Sequence, residues 1–286
     1  MESVYHVREN REFASPEHFI RAYLFTDFPT RLHDHNFYEL LVVTQGRGQH
    51  RIGNAVFPVS QGDVFVVPPM VPHSFFDPEN LEVINILIRV EFIRERQAQS
   101  ANFPGYFKFM ETEPFLRQNY DKSMFLHLSP AQLRELRQDI NLIDDSSPLC
   151  QLGYSELQHH ITWKIIYYLS YLLDKQLNTD STTAFSKYEN QILNTLEYIH
   201  KNFSQKLSIE GLAARVFLSK STFLRNFQAL CGCSPIQYLN QYRIKKAEEL
   251  LSCSKKSKTE IAHLCGFYDL SHMERCMKSN RPAVQG

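Results

Sequence analysis

One sequence pattern occurs twice in the C-terminal third of the chain, and such a duplication leaves few folds open. In SIEGLAARVFLSKSTFLRNFQ and in KTEIAHLCGFYDLSHMERCMK the same order recurs: an aliphatic residue and an alanine, a turn, a capping residue, a serine, then apolar residues around an arginine. Leu212-Ala213 matches Ile261-Ala262 at an offset of 49, whereas Ser219, Ser221, Phe223, Arg225 and Phe227 match Asp269, Ser271, Met273, Arg275 and Met277 at an offset of 50. One residue has therefore been added in the second turn. Each copy reads as a short helix with a small residue where helices cross, a tight turn, a Ser or Asp N-cap and a second helix. Two helix-turn-helix units are expected, at about 208–230 and 258–280. In the second helix of each, Phe223/Phe227 and Met273/Met277 are spaced to face inward. That leaves Ser221, Thr222, Leu224 and Arg225, with Ser271, His272, Glu274 and Arg275, facing outward.

A helix from Pro235 to Ser252, capped by Ser234, joins the copies, with Ile236, Leu239, Ile244, Ala247 and Leu251 expected inward. Its length of about 27 Å suits recognition helices entering successive major grooves about 34 Å apart. Charge supports that use. The whole chain carries 31 basic and 31 acidic residues, yet the stretch from Tyr188 onward has 14 against 8, a net of +6 balanced by −6 in the remainder. A basic segment joined to an acidic one points to a nucleic-acid-binding domain attached to a domain of another kind. A bundle whose repeats serve only packing is the alternative.

The stretch from Gln191 to Lys278, including LSIEGLAARVFLSKSTFLRNFQALCGCSPIQYLNQYRIKKAEELL and IAHLCGFYDLSHMERCMK, resembles the DNA-binding domain of the AraC/XylS family of transcription regulators. The resemblance implies that bases of double-stranded DNA are read by Ser221, Leu224 and Arg225 in the first unit and by Ser271, His272 and Arg275 in the second. Arg225 and Arg275 can each donate two hydrogen bonds to guanine, or contact phosphate and position the protein without specifying sequence. Past Lys278 the chain departs from the family pattern of a turn and a short final helix, running Ser-Asn-Arg-Pro-Ala-Val-Gln-Gly286, and Met273 and Met277 replace usual aromatics. Methionine specifies a rigid arrangement less well, so the second unit is expected to pack more loosely.

Residues 20 to 90 follow a different period. Leu40–Thr44, Gln49–Ile52, Val64–Val67 and Val83–Val90 are strand-like, punctuated by Gly46, Gly48, Gly53 and Gly62, which suggests an antiparallel barrel or sandwich. Within it, His33-x-His35-x3-Glu39-x6-Gly46 and Gly62-x5-Pro68-x4-His73 resemble the two signatures of cupin barrels, with Met70 where glycine is common. Period two puts 33, 35 and 39 on one face of a strand, directed into a lumen that His73 enters from a neighbouring strand. These four residues suit hydrogen bonding to a small polar effector, or a divalent metal with open positions. The same region resembles regulators of rhamnose and chitobiose use, which favours a carbohydrate. An alternative from another class is a metal-dependent cupin enzyme with a helical association domain.

Ser129-Pro130 reads as an N-cap and first-turn proline, followed by Leu133, Leu136, Ile140 and Ile143 at helical spacing. A second helix, from about Leu152 to Leu177, aligns Leu157, Ile161, Ile165, Tyr168 and Leu172. This hairpin either forms a homodimer interface or caps the barrel. The polar run from Asn178 to Ser186 has linker composition. The expected fold is thus α+β with two domains: a cupin-like antiparallel barrel (1–128) with its helical hairpin (129–177), a linker (178–187) and an all-α DNA-binding domain (188–286). The six cysteines form no C-x-x-C pair and are expected reduced and mostly buried, Cys231 and Cys233 as filler near a helix end. No apolar stretch spans a bilayer and no secretory leader is evident, so a cytoplasmic protein is expected, contacting RNA polymerase as a dimer while an effector shifts its DNA-competent population.

Overall fold

The computed structural model describes residues 4–13, 18–26, 28, 31–53, 55–100, 102–120, 126–148, 154–179, 187–254 and 256–280, and the chain divides into two compact units, Met1–Thr179 and Asp180–Gly286. The first is built on strands β1 (Tyr5–Val7), β2 (Ile20–Phe25), β3 (His33–His35), β4 (Tyr38–Ile52), β5 (Ala55–Ser60), β6 (Asp63–Val67), β7 (His73–Ile88) and β8 (Leu126–His127). They form one sheet in the order β1-β3-β7-β4-β6-β8, with β2 added to β7 and β5 to β4. The pairs are antiparallel except β1 with β3.

The long ladder between β4 and β7, from Tyr38 opposite Ile88 to Ile52 opposite His73, takes every other strand of the sheet directly except β1 and β8. It slips register three times between Val43 and Gln49. Gly46 sits in that bulge at φ +73°, where an added Cβ would lie 2.1 Å from the Asn80 carbonyl oxygen, so only glycine fits. The two strands expected at Leu40–Thr44 and Gln49–Ile52 are therefore one, because Gly46 and Gly48 mark a bulge in the ladder and not a turn. On either side of the bulge β4 takes different partners, β6 at Glu39–Val42 and β5 at Arg47–Ile52. The expected barrel is instead an open sheet. Among the described residues no pairing joins β1 to β8, and strands of three and two residues make poor closing edges.

Helices α1 (Glu9–Glu12), α2 (Val90–Glu95), α3 (Gln97–Ser100) and α4 (Glu113–Tyr120), the last preceded by a π-turn at Lys108–Thr112, complete this unit with α5 (Pro130–Ile143) and α6 (Ser155–Thr179). Ser129 and Gln132 form a capping box, and Leu133, Leu136, Ile140 and Ile143 are all buried. On α6, Ile161, Ile165 and Leu172 are buried as expected, but Leu157 is exposed and Tyr168 is half-buried, its hydroxyl donating to Glu135. Trp163, Ile166, Leu169 and Leu173 are buried in addition, so the buried stripe is broader than one row.

The second unit holds α7 (Lys187–Asn202), α8 (Ile209–Arg215), α9 (Lys220–Cys231), α10 (Pro235–Cys253), α11 (Lys258–Leu264) and α12 (Leu270–Asn280). Residues 180–186, most of the expected linker, and the divergent tail 281–286 lie outside the described residues. Ser234 and Gln237 cap α10, and Leu239, Ile244 and Ala247 are buried, but Ile236 and Leu251 are on the exposed flank. Their places inside are taken by Tyr238 and Tyr242. His200 stacks on Tyr242 at 4.1 Å between ring centres and hydrogen-bonds the Tyr238 hydroxyl at 2.8 Å, giving that buried phenol a partner. Arg243 donates to the carbonyls of Phe203 and Gln205 just past α7, which ties that helix end to α10.

Two backbone bonds recur in both turns. Leu218 N–H donates to Ala213 at 3.0 Å, as Phe267 N–H does to Ala262 at 2.9 Å. Both pairs are related by the offset of 49, so the added residue is Tyr268, 85% exposed just before the cap Asp269. Where the second turn has Gly266 at φ +77°, the first has Phe217 at φ +56°, 93% exposed. A left-handed phenylalanine with nothing to bury costs about 1–2 kcal/mol, part of which glycine gives back in chain entropy. Phe217→Gly is expected to raise stability by about 1 kcal/mol, read from the denaturant midpoint at unchanged m-value; a lower midpoint would show that the ring is needed to hold the turn.

Candidate functional site

The exposed side of α9 is set by its cap. Ser219 accepts from Thr222 N–H and its hydroxyl donates to Thr222 Oγ1 at 2.9 Å, which fixes the first turn and leaves Ser221 and Arg225 exposed, with Leu224 half-buried. Phe223 and Phe227 are completely buried on the opposite side. In α12, Asp269 caps His272 N–H at 2.7 Å, Ser271 and Arg275 are exposed, and His272 is half-buried with its ring edge-on to Phe267. Met273 is buried and Met277 half-buried. All seven residues expected to contact DNA thus fall on the outer sides of the two second helices. Cys231 and Cys265 are buried, and burial pushes both thiols up, Cys265 to about 11; Cys233 and Cys276 are half-buried. Cys150 lies outside the described residues.

The second candidate site is a cavity of about 370 Å³ on one face of the sheet. Its strand-borne lining follows period two: Tyr23 and Phe25 on β2, His33 and His35 on β3, Glu39 and Leu41 on β4, His73, Phe75, Asn85 and Leu87 on β7. His33 stands opposite His73 across the β3–β7 pair. The Met70 N–H donates to the His35 carbonyl at 2.7 Å from a backbone at φ +62°, which pins the turn before His73 to β3. All four residues expected to form the polar site therefore converge. His73 Nε2 lies 3.1 Å and His35 Nε2 3.7 Å from Glu39 Oε2, and Asn85 Nδ2 donates to Glu39 Oε1 at 3.3 Å. Burial depresses His35 to about 4 and also lowers His33. Burial alone would raise the Glu39 carboxyl, but the facing imidazoles of His35, His73 and His33 outweigh it and hold Glu39 below the usual carboxylate range. A ring nitrogen of His33, an oxygen of Glu39 and a ring nitrogen of His73 lie within 4.8 Å of one another, a spacing that admits a metal ion.

Several lining residues are not singled out by sequence reasoning. Asn85 interrupts an apolar strand at an inward position, a signal that period two makes legible. Tyr23, whose phenol burial and Glu39 push up so that it stays protonated, belongs to an ordinary-looking strand. Tyr5, Val7 and Glu12 come from the N-terminal segment and Arg31 from the loop before β3, and nothing local marks them. His159 packs edge-on against Phe19 and Phe92, and His160 is exposed, so neither belongs to the cavity.

A sheet domain bearing a polar-bottomed cavity, in one chain with a duplicated helix-turn-helix, is the make-up of a DNA-binding transcription regulator with a ligand-binding domain. Residues 19–161 match the family described as the AraC-like ligand binding domain, and residues 212–280 match the family described as a helix-turn-helix domain. The chain belongs to the AraC family and is a DNA-binding transcription regulator with a ligand-binding domain, not an enzyme. It is similar to the HTH-type transcriptional activator RhaS of Pectobacterium carotovorum, 28% identical over 250 residues, covering 86% of this chain and 82% of that one. RhaS of Escherichia coli O81 is 26% identical over 249 residues, with the same coverage. Among solved structures, ToxT from Vibrio cholerae is 14% identical over 91% of this chain and 93% of its own, with a TM-score of 0.39.

Below the polar group, His50 is completely buried between Phe65 and Phe75, at 4.8 and 4.6 Å between ring centres. Burial, reinforced by the nearby Arg117 guanidinium, lowers its pKa well below 6.5. The unfolded chain binds a proton at His50 below about pH 6.5 that the folded unit refuses, so this group makes stability fall as the pH is lowered from there. His50→Phe is expected to flatten the decline of unfolding free energy between about pH 6.5 and 4.5, measured by urea titration at each pH; parallel curves for the two proteins would rule the assignment out.

Proposed function

We propose that the cavity binds a small carbohydrate effector and that its occupancy governs binding of the helix-turn-helix units to duplex DNA. The observation that carries the reading is the convergence of His33, His35, Glu39, His73 and Asn85 at one end of a cavity otherwise walled by Phe25, Leu41, Phe75 and Leu87. Polar groups fixed in a mostly apolar pocket suit a ring with hydroxyls on its edge and C–H groups on its faces. Effector binding shifts the chain between DNA-competent and DNA-incompetent populations only to the extent that it binds them with different affinity.

On the DNA side, Ser221, Thr222, Leu224 and Arg225 of α9 and Ser271, His272 and Arg275 of α12 meet bases and backbone in successive major grooves. Arg225 donates to a guanine edge. The basic excess of the C-terminal segment supports this role, and so does the 19-residue α10, about 28 Å of rigid spacer. The protein works in the cytoplasm as a homodimer through the α5–α6 hairpin, contacts RNA polymerase and, like the relatives named as transcriptional activators, raises transcription. Functional boundaries at 1–128, 129–177, 178–187 and 188–286 go with this division of labour.

The test is binding of the full-length protein to its own promoter region across a salt series, with and without monosaccharides. Binding is expected to weaken steeply with salt, and Arg225→Ala to lose about 1–3 kcal/mol and most preference over unrelated duplex. Equal affinity for promoter and unrelated DNA in the unaltered protein would defeat the proposal.

A further inference from the structure

Phe217 and Tyr268 are large hydrophobic side chains that the second unit leaves almost wholly in solvent, at 93% and 85% exposure, and no other among the described residues exceeds 55%. Each stands in the turn of a helix-turn-helix, Phe217 two residues before the cap Ser219 and Tyr268 one residue before the cap Asp269. They are not aligned copies, since Phe217 matches Gly266 and Tyr268 is the added residue. Neither ring packs into the fold. Phe217 holds a left-handed backbone at φ +56° that glycine adopts without strain, and what ties Tyr268 down is its main chain, whose N–H donates to His272 Nδ1 at 3.4 Å. An aromatic ring kept out of the fold on a strained backbone points to a partner at that place.

We propose that Phe217 and Tyr268 hold the sugar–phosphate backbone of duplex DNA at the rim of the groove beside each second helix. A helix-turn-helix reads bases with the N-terminal residues of its second helix, so the turn leading into that end arrives at the edge of the groove with it. Phe217 lies four residues before Ser221 and Tyr268 three before Ser271, a reach of at most about 10–14 Å against a groove about 8.5 Å deep. With Ser221 and Ser271 at the floor, the turns stand level with the flanking phosphates. The chemistry differs between the units. The Tyr268 hydroxyl donates to a phosphate oxygen, and the neighbouring Asp269 carboxylate is turned into the helix, where it accepts from His272 N–H at 2.7 Å. Phe217 has no polar side-chain atom and covers deoxyribose C–H groups. It shares a recess of about 380 Å³ with Arg215, which is exposed, stacked on Tyr198 at 3.8 Å and without an acidic partner among the described residues. Glu197, in the same recess, is paired with Lys201, so the Arg215 guanidinium is free to meet the phosphate next to that sugar. A duplex is favoured over a protein partner because both aromatics adjoin second helices of a duplicated unit, and DNA offers the same backbone to each.

The inference rests on the helix-turn-helix units binding DNA as proposed above, and the experiment separates the two. Binding of the full-length protein to its promoter region and to unrelated duplex is measured by fluorescence anisotropy across a salt series, for the unaltered protein, Phe217→Gly and Tyr268→Phe, with unfolding followed in parallel. Phe217→Gly is expected to weaken binding to both duplexes about 5-fold without destabilising the fold, a combination that a merely structural ring does not give. Tyr268→Phe, which removes one oxygen, is expected to weaken both about 10-fold with an unchanged slope of log affinity against log salt, since a neutral donor releases no counterion. Should Phe217→Gly unfold more easily, Tyr268→Phe, which keeps its ring, decides the matter. No salt-sensitive binding by the unaltered protein to either duplex defeats the DNA reading and this inference with it. Specific binding that both variants retain in full defeats this inference alone, and weaker transcription by RNA polymerase in vitro would then assign the aromatics to a protein partner. A loss confined to the promoter would mean base reading and overturn the backbone contact.

Discussion

The antiparallel ladder between β4 and β7 is the contact on which the ligand-binding unit depends. Both strands are long, each reaches across the bulge near Gly46, and every other strand except β1 and β8 is added directly to one of them. Because side chains alternate along a strand, the register that places Glu39 opposite Leu87 and Leu41 opposite Asn85 also decides which residues meet on the cavity face. A slip of one residue would turn Glu39 and Asn85 away and bring Leu40 and Ile86 in. Farther along the same face the polar residues give way to Val43, Ile52, Phe65, Val83 and Leu81, a continuous apolar cluster that resists such a slip.

The polar site was legible in the sequence because its signal is local. His33 and His35 share parity on β3, but Glu39, expected on the same strand, lies on β4 beyond the bend at Asn36-Phe37, and the pairing of both strands with β7 brings it to the same face. That the sheet stays open was not legible, since closure depends on pairing between ends that are far apart in the chain, and no local pattern reports whether two short edge strands meet. The glycines misled for a related reason: Gly46 has the same left-handed backbone in a bulge as it would have in a turn. The lining from Tyr5, Glu12 and Arg31 comes from a three-residue strand, a four-residue helix and a loop, each too short to show a period.

In the DNA-binding unit the duplicated pattern was readable down to the number of residues in the second turn, because the backbone bonds that define the turn recur at constant spacing. What repetition could not convey was the inner face of α10. Tyr238 and Tyr242 look amphipathic in sequence and are buried in the fold, since His200 gives one a hydrogen-bond partner and the other a stacking partner. Ile236 and Leu251, apolar and at plausible spacing, are left partly exposed on the flank. Burial followed the location of partners, which single-helix periodicity does not encode.

Each carbonyl that anchors a histidine of the cavity lies two residues from that histidine along the chain: Arg31 for His33, Phe37 for His35, Val71 for His73. The aim of the three rings is consequently written into short, self-sufficient stretches of backbone and is not delegated to the walls of the cavity. Because the anchors are main-chain atoms, side chains at the surrounding positions can be exchanged without turning a ring. The site thus separates a polar head aimed by its own backbone from walls such as Tyr23, Phe25 and Phe75, whose side chains take no part in aiming it.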